Sequence, residues 1–302
     1  MGLYPKGVGK TLVQWPDNDN NRVWCVDSVN GDDDYSGNSW ERARASIMSA
    51  VNSARYLPGT TTIDDTKDTH DVILIAPGQY NEAVAFSGYN IHLIGLALAR
   101  PGKDYGVSIN YDGAVTSPAA VAMSGSGLSL HNLHVYCTEA IPAVWIAGGD
   151  NNLLENLVIE CDGTNTTYGI RADSMKGSSI LDCVIRTPKT AGILVAGGDN
   201  HYFIDGAIER CQINGDVAGV KGIFVENTNV VYGARIHQNW IDVDGGGATA
   251  KGIDNDATGN LFITDNYIII HTGATAAESA SHGMLNNHVT THGTVTDPFD
   301  DD

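Results

Sequence analysis

The sequence predicts an all-β chain wound as a single-stranded parallel β-helix solenoid of about seven coils, with an α-helix closing its N-terminal end. Three observations predict it. Glycine is frequent, at 35 of 302 residues, and only 18% of residues are charged. This suits many short strands joined by tight turns. The pentapeptide Ala-Gly-Gly-Asp-Asn occurs at 147–151 and again at 196–200, each time after a short apolar run. Finally, the pattern apolar-x-x-(Leu/Cys/Asn)-x-apolar occurs six times: Leu130/Leu133/Val135, Leu154/Leu157/Ile159, Ile180/Cys183/Ile185, Ile208/Cys211/Ile213, Ile236/Asn239/Ile241 and Ile263/Asn266/Ile268. Repeats of this length made only of short strands mark a solenoid, in which each strand pairs with its equivalent one coil away. The pentapeptide then marks one corner, seen two coils apart.

Residues 1–22 form an N-terminal arm. The first sixteen carry Lys6 and Lys10 and no acid, so they contribute +2 to a chain of net charge −19. An arm of this kind suits docking on another protein. The acidic remainder disfavours nucleic acid and anionic membrane as partners. The longest apolar runs, such as "VILIA" and "YIII", fall far short of the roughly 20 residues of a membrane span. No leader-like apolar stretch opens the chain.

Residues 23–69 read as a capping segment. Within it, 39–57 has helical periodicity, with Trp40, Ala43, Ile47, Ala50, Val51, Ala54 and Leu57 on one face. Asn38 is the expected N-cap, Glu41 stands three residues on, and Leu57-Pro58-Gly59 ends the helix. An amphipathic helix ahead of a solenoid can bury its face on the open end of the barrel. The turn "NGDDDYSG" is a candidate calcium ligand set, although it lacks the spacing of an EF-hand loop. "GVGKT" (7–11) lacks the first glycine of a P-loop, Tyr4 standing in its place.

The solenoid itself spans 70–290, with the register of 70–125 left open. A second motif recurs as Val144-Trp145-Ile146, then Gly169-Ile170, Gly192-Ile193, Gly222-Ile223 and Gly252-Ile253, so each coil holds at least two strands. Stacked equivalents place Leu133, Leu157, Cys183, Cys211, Asn239 and Asn266 in one inward column. Buried asparagines in a column can hydrogen-bond to one another. The five cysteines have no metal-ligand spacing and no even pairing, so they read as small buried apolar groups, with no metal site. Residues 291–302 form an acidic tail.

"CVDSVNGDDDYSGNSW", "SIMSAVNSA" and "DVILIAPGQYNEAV" resemble the opening module of right-handed parallel β-helix proteins, the pectate-lyase-like superfold. "GSSILDCVIRT" and "NLFITDNYIII" resemble its repeat. The resemblance implies a right-handed helix and spans roughly 23–290. It leaves function open, because this superfold serves polysaccharide lyases, hydrolases, phage tailspikes and non-enzymatic virion proteins.

Two outward columns carry the functional expectations. Trp145, Leu194 and Phe224 align as an apolar strip suited to a homotrimer interface or a sugar platform. Glu226, Asp254 and Asp256, with His282 one coil on, loosely resemble the acid set of polygalacturonases. Two such carboxyls would suit glycoside hydrolysis. However, "GIDND" departs from that family's Asn-Thr-Asp motif, and no basic coil follows the His-Gly. Lys221 and Lys251 stack beside these acids, which leaves lyase chemistry open. The resulting expectation is a non-enzymatic virion protein of a tailed phage, above all a capsid decoration protein, trimeric and docked through its arm, without a cofactor. The alternative is an extracellular or tailspike enzyme acting on a polysaccharide.

Overall fold

In the computed structural model, residues 22–55, 68–97, 106–113, 116–162, 165–196, 198–243, 250–257, 259–271, 275–279 and 284–292 are described. The chain winds as a parallel β-helix with three strand-bearing faces. Face 1 stacks Val121–Ser126, Val144–Ile146, Tyr168–Ala172, Ala191–Val195, Lys221–Val225, Lys251–Asn255 and Thr275–Ser279. Face 2 stacks Ser129–His131, Leu153–Glu155, Ser179–Leu181, Ala207–Glu209, the end of Thr228–His237, Gly259–Thr264 and Met284–Leu285. Face 3 runs from His134–Cys137 through Val158–Cys161, Val184–Arg186, Gln212–Gly215, Trp240–Val243 and Tyr267–His271 to His288–His292. Seven three-stranded coils thus stack over 121–292, where the sequence predicts about seven over the whole of 70–290 with at least two strands in each. The long strand Val84–Gly95 adds a coil before them by pairing with both Val121–Ser126 and Ser129–His131. Asp68–Ile75 and Val23–Val26 continue face 2 to the N-terminal end. Among the described residues, these pairings give the register that the sequence left open at 70–125.

Inward side chains fill the barrel in like-with-like columns. Leu130, Leu154, Ile180, Ile208, Ile236 and Ile263 line face 2, and Val135, Ile159, Ile185, Ile213, Ile241 and Ile268 line face 3; all are buried. The glycine of each Gly-Ile pair follows from this filling. A Cβ on Gly169, Gly192 or Gly222 would collide with a methyl of Ile185, Ile213 or Ile241 respectively.

The turn from face 2 to face 3 is made by one left-handed residue per coil: Asn132, Asn156, Asp182, Arg210, Gln238, Asp265 and Asn286, with φ between 53 and 57°. The conformation costs a non-glycine residue on the order of 1 kcal/mol. Asn and Asp tolerate it best. The next residue starts the inward column. Asn239 Nδ2 donates to Asn266 Oδ1 and Asn266 Nδ2 to Asn287 Oδ1, each at 2.9 Å. The same oxygens accept the backbone N–H groups of Asn239 and Asn266. The second hydrogen of each amide reaches a carbonyl of the preceding coil, Ile208, Ile236 or Ile263. At the preceding rung the Cys211 thiol lies between two carbonyls, 3.4 Å from Glu209 O and 3.6 Å from Ile180 O. The expected column therefore exists, with the thiol within reach of the carbonyl position that the amides bond.

The repeated pentapeptide marks one corner. Ile146, Ala172 and Val195 are register partners, so Ala147 and Ala196 are equivalents two coils apart. Past the alanine the copies diverge. The first bends through Gly149, at φ +91°, where a Cβ would strike the Gly125 carbonyl. In the second, Gly198–Ile204 is a strand.

The capping helix is shorter than expected. In place of one helix over 39–57, a 3-10 turn at Trp40–Arg42 precedes an α-helix at Ile47–Arg55. Strand pairing wins over helix propensity at the junction. Arg44 N–H donates to the Cys25 carbonyl, and the Arg44 carbonyl accepts from Asp27 N–H, which pulls 43–45 into an extended edge. Asn38 does not cap; its Oδ1 accepts from Ser36 Oγ. The cap comes from afar: Glu82 accepts from the N–H groups of Ile47 and Met48 at 2.7 and 3.0 Å. Ile47, Ala50, Val51 and Ala54 are buried, as the periodicity predicted. The helix stop at 57–59, the arm lysines Lys6 and Lys10, and 293–302 of the tail lie outside the described residues. Among the described residues, no helix is long and apolar enough to cross a membrane.

Candidate functional site

The register of face 1 is the expected one: Trp145, Arg171, Leu194, Phe224 and Asp254 are successive partners. What they do differs from the expectation. Asp254 is 1% exposed and accepts from two ammonium groups, Lys221 at 2.7 Å and Lys251 at 2.8 Å. Those lysines are themselves register partners one coil apart. The carboxylate thus ties two coils together, and both its oxygens are engaged. Glu226 and Asp256 do occupy equivalent corners, through Glu226 N–H to Val195 O and Asp256 N–H to Val225 O. Glu226 is half-buried and Asp256 exposed. His282 lies outside the described residues.

The expected apolar strip of Trp145, Leu194 and Phe224 is not a bare one. Leu194 is 2% exposed. Arg171 lies over the Trp145 ring at 5.6 Å, and Asp173 accepts from both Trp145 Nε1 and Arg171 Nε. Lys221 Nζ sits 3.2 Å from the Phe224 centroid. A cation from the next coil over Trp145, and one from the same strand over Phe224, therefore cover the aromatic rings, a favourable arrangement that replaces a dry patch with a charged one.

Exposed aromatic side chains lie elsewhere: Tyr232 and Phe262 on the strands Thr228–His237 and Gly259–Thr264, and Trp240 on face 3. Trp240, Tyr267 and His288 are register partners; the Trp240 and Tyr267 rings are tilted at a centroid distance of 4.5 Å, and Tyr267 and His288 are stacked at 4.9 Å. Trp240 is 48% exposed. Each follows an asparagine of the inward column. An outward reading of the repeat, one residue past Asn239, Asn266 and Asn287, would have found them.

The acidic turn is committed to the cap. Asp33 accepts from the N–H groups of Ala45 and Ser46 and from Ser46 Oγ. Partial burial pushes its carboxyl up, but the Ser46, Ala45 and Ser49 bonds outweigh this and hold it below its ordinary value. Asp27 Oδ1 accepts from Val29 and Asn30 N–H. Among the described residues no cluster of three metal-ligating side chains occurs.

Face 2 carries a polar chain that the sequence reading passed over. Ser129 Oγ lies 2.9 Å from His131 Nε2, and His131 Nδ1 lies 3.0 Å from Glu155 Oε2. On the preceding coil, His92 Nδ1 is 2.7 Å from the same Ser129 Oγ. Burial, and then the charges of His131 and His70, push the His92 pKa down to about 4. Ser129 and His131 flank the inward Leu130, so alternation along one strand places them together. Glu155 arrives from the next coil as the partner of His131.

No family model matches the chain, and no curated protein sequence matches it. Solved structures do. A pectate lyase, Pel9A, superposes with a TM-score of 0.58 at 15% identity, covering 91% of this chain and 78% of that one. A pectin methylesterase from Aspergillus niger gives 0.52 at 14%, covering 94% and 89%. The pectin methylesterase PemA from Erwinia chrysanthemi gives 0.50 at 14%, covering 84% and 80%. Identities this low speak to fold alone, and the fold of this chain is the pectate-lyase-like parallel β-helix.

Proposed function

We propose that the chain is a structural protein of a tailed-phage virion, a capsid decoration protein rather than a tail or spike component. The observation that carries the structural part is the Lys221–Asp254–Lys251 clamp. Asp254, one of the candidate acids in the sequence, has both oxygens engaged and binds coil to coil. Two further ion pairs follow the same plan. Arg210 bridges to Asp182 one coil back, and Arg235 to Glu209. A rod braced in this way suits a rigid, long-lived assembly. The virion part rests on the sequence: a mildly basic arm ahead of a strongly acidic body, and the resemblance to phage β-helix proteins.

The test has two arms. Light scattering on the full chain, of 32.0 kDa, reads the oligomer, and a stable species of about three times that mass is expected, as trimeric assembly requires. Mass spectrometry of gradient-purified particles, from the phage that encodes the chain, should find it in a fixed ratio to the major capsid protein. Its absence from particles overturns the reading.

The Trp240–Tyr267–His288 column, exposed at Trp240 and His288, favours a second reading, a surface that binds polysaccharide through its aromatic rings. Affinity electrophoresis in gels cast with acidic and neutral polysaccharides tests it. Retardation lost in Trp240→Ala would support it, and migration equal to that in plain gel would reject it.

A further inference from the structure

We propose that Ser129, His131 and Glu155 form a serine-hydrolase centre for small acyl esters, on a face of the rod separate from the Asp254 clamp. The geometry has the order of a catalytic triad: hydroxyl to imidazole Nε2 at 2.9 Å, imidazole Nδ1 to carboxylate at 3.0 Å. The hydrogen-bond directions follow from the network. Glu155 only accepts, so neutral His131 carries its proton on Nδ1. Its Nε2 then has a lone pair free to accept from Ser129 Oγ–H. Ser129 Oγ in turn accepts from His92 Nδ1–H. His92 is thereby fixed as a donor aimed at the nucleophile, and it is the closest polar group to an oxyanion forming there.

A second serine, Ser108, shows that proximity alone is insufficient. It lies 2.7 Å from His134 Nδ1, but its hydroxyl donates to Asn110 Oδ1 at 2.6 Å. It therefore accepts from His134, which cannot act as its base. Ser129 has no such competing acceptor beside His92 and His131.

The steps balance without a cofactor. Ser129 Oγ bonds the acyl carbon as its proton passes to His131 Nε2. The ester C–O bond breaks, and the departing alkoxide takes that proton as an alcohol. Water then attacks the acyl-serine and gives a proton to His131 Nε2; the acyl C–Oγ bond breaks, His131 returns that proton to Ser129 Oγ, and the carboxylic acid leaves. Glu155 is a positioning residue, holding the tautomer. Ser129 is 2% exposed between two imidazoles, so the acyl group must be small, of the size of acetyl. Glu155 has a 43% exposed side chain, which leaves the alcohol half unconstrained on the open surface.

The experiment treats the purified full chain with a small fluorophosphonate probe and, separately, with p-nitrophenyl acetate. The expected result is one adduct, mapped to Ser129, and hydrolysis that falls about a hundredfold or more in Ser129→Ala and His131→Gln. Glu155→Gln keeps the shape of an exposed side chain. It should lower kcat with little change in KM and slow the labelling, which a purely structural contact would not do. Urea midpoints confirm that the variants fold. Absence of an adduct on folded wild-type protein, or labelling at equal rate in His131→Gln, overturns the proposal. Neither result bears on whether the chain is found in particles.

Discussion

Lys221 and Lys251, stacked one coil apart, hold the two oxygens of the buried Asp254 carboxylate at 2.7 and 2.8 Å. Removing the centre of this clamp leaves two ammonium groups side by side, each only about a fifth exposed at the side chain. Breaking a buried pair is far costlier than replacing all of it by apolar groups. Asp254→Asn should therefore destabilise by about 3 kcal/mol, read as a lower urea midpoint at unchanged slope. Adding Lys221→Met and Lys251→Met to Asp254→Leu should recover most of the loss. A neutral Asp254→Asn would show that the clamp is loose in solution.

The asparagine column makes a sharper local prediction. Asn266 Oδ1 accepts from both Asn239 Nδ2 and the Asn239 backbone N–H. Asn266→Ala leaves these buried donors and the Ile236 carbonyl without partners. At 1–3 kcal/mol for an unsatisfied buried group, and with partial relaxation, the cost should be about 3 kcal/mol. Amide hydrogen exchange would place it: the Asn239 amide should lose protection, while the Cys183 amide, two coils earlier than Asn239, should not. Asn239→Cys should cost less than Asn266→Ala, because a thiol already reaches the equivalent carbonyl from Cys211.

Why some of this was legible and some was not follows from where the signal lies. The inward columns were readable because a solenoid forces chemical identity on stacked positions. Leu130 to Ile263, and Cys183 beside Cys211, repeat for that reason. The register of the outward column Trp145–Arg171–Leu194–Phe224–Asp254 came with it. Its chemistry did not, because outward contacts depend on which long side chain reaches which neighbour. Lys221 crossing to Asp254 and Arg171 folding over Trp145 are rotamer choices, invisible to a residue-type pattern. The helix start failed for a similar reason. Arg44 is drawn into pairing with the Val23–Val26 edge, and the cap comes from Glu82, some 35 residues on. Ser129, His131 and Glu155 flank the inward Leu130 and Leu154 on face 2, where the pattern carries signal at inward positions only; the outward columns legible in the sequence belong to face 1.

His92 gives the pH prediction. Unfolded, it takes up a proton near its ordinary value of 6.5; folded, burial and then the nearby His131 and His70 delay this to about pH 4. Between those values the unfolded chain binds more protons, so stability falls as pH falls through the window and stops falling, on this account, below about 4. The shift would set an upper limit above 3 kcal/mol. The imidazole is partly open to solvent, and screening brings the expected loss to about 2 kcal/mol. His92→Gln should remove this component while leaving the losses from carboxylates. The check is the difference in urea midpoint between wild type and variant, measured at neutral pH and again near pH 4.5. A constant difference would mean that His92 titrates normally and that its hydrogen bond to Ser129 is not held.

All five cysteines are free and buried. Thiolate is the reactive form, so burial suppresses reaction twice, by blocking access and by raising the pKa. Burial, with a smaller push from Glu41, raises Cys25 to about 11. Burial also raises Cys137, Cys161 and Cys183. Native protein at mildly alkaline pH should therefore give almost no reaction with Ellman's reagent, and all five thiols should react in concentrated guanidinium chloride. Partial unfolding has a distinct signature. Cys25 sits in the first strand, between Gly37 and Arg44 at the N-terminal end, while Cys161, Cys183 and Cys211 lie in the middle coils. If the ends of the solenoid open before the centre, as nearest-neighbour stability in repeat proteins implies, Cys25 should label first as urea is raised. Simultaneous labelling of all five would instead show that the seven coils unfold as one cooperative unit.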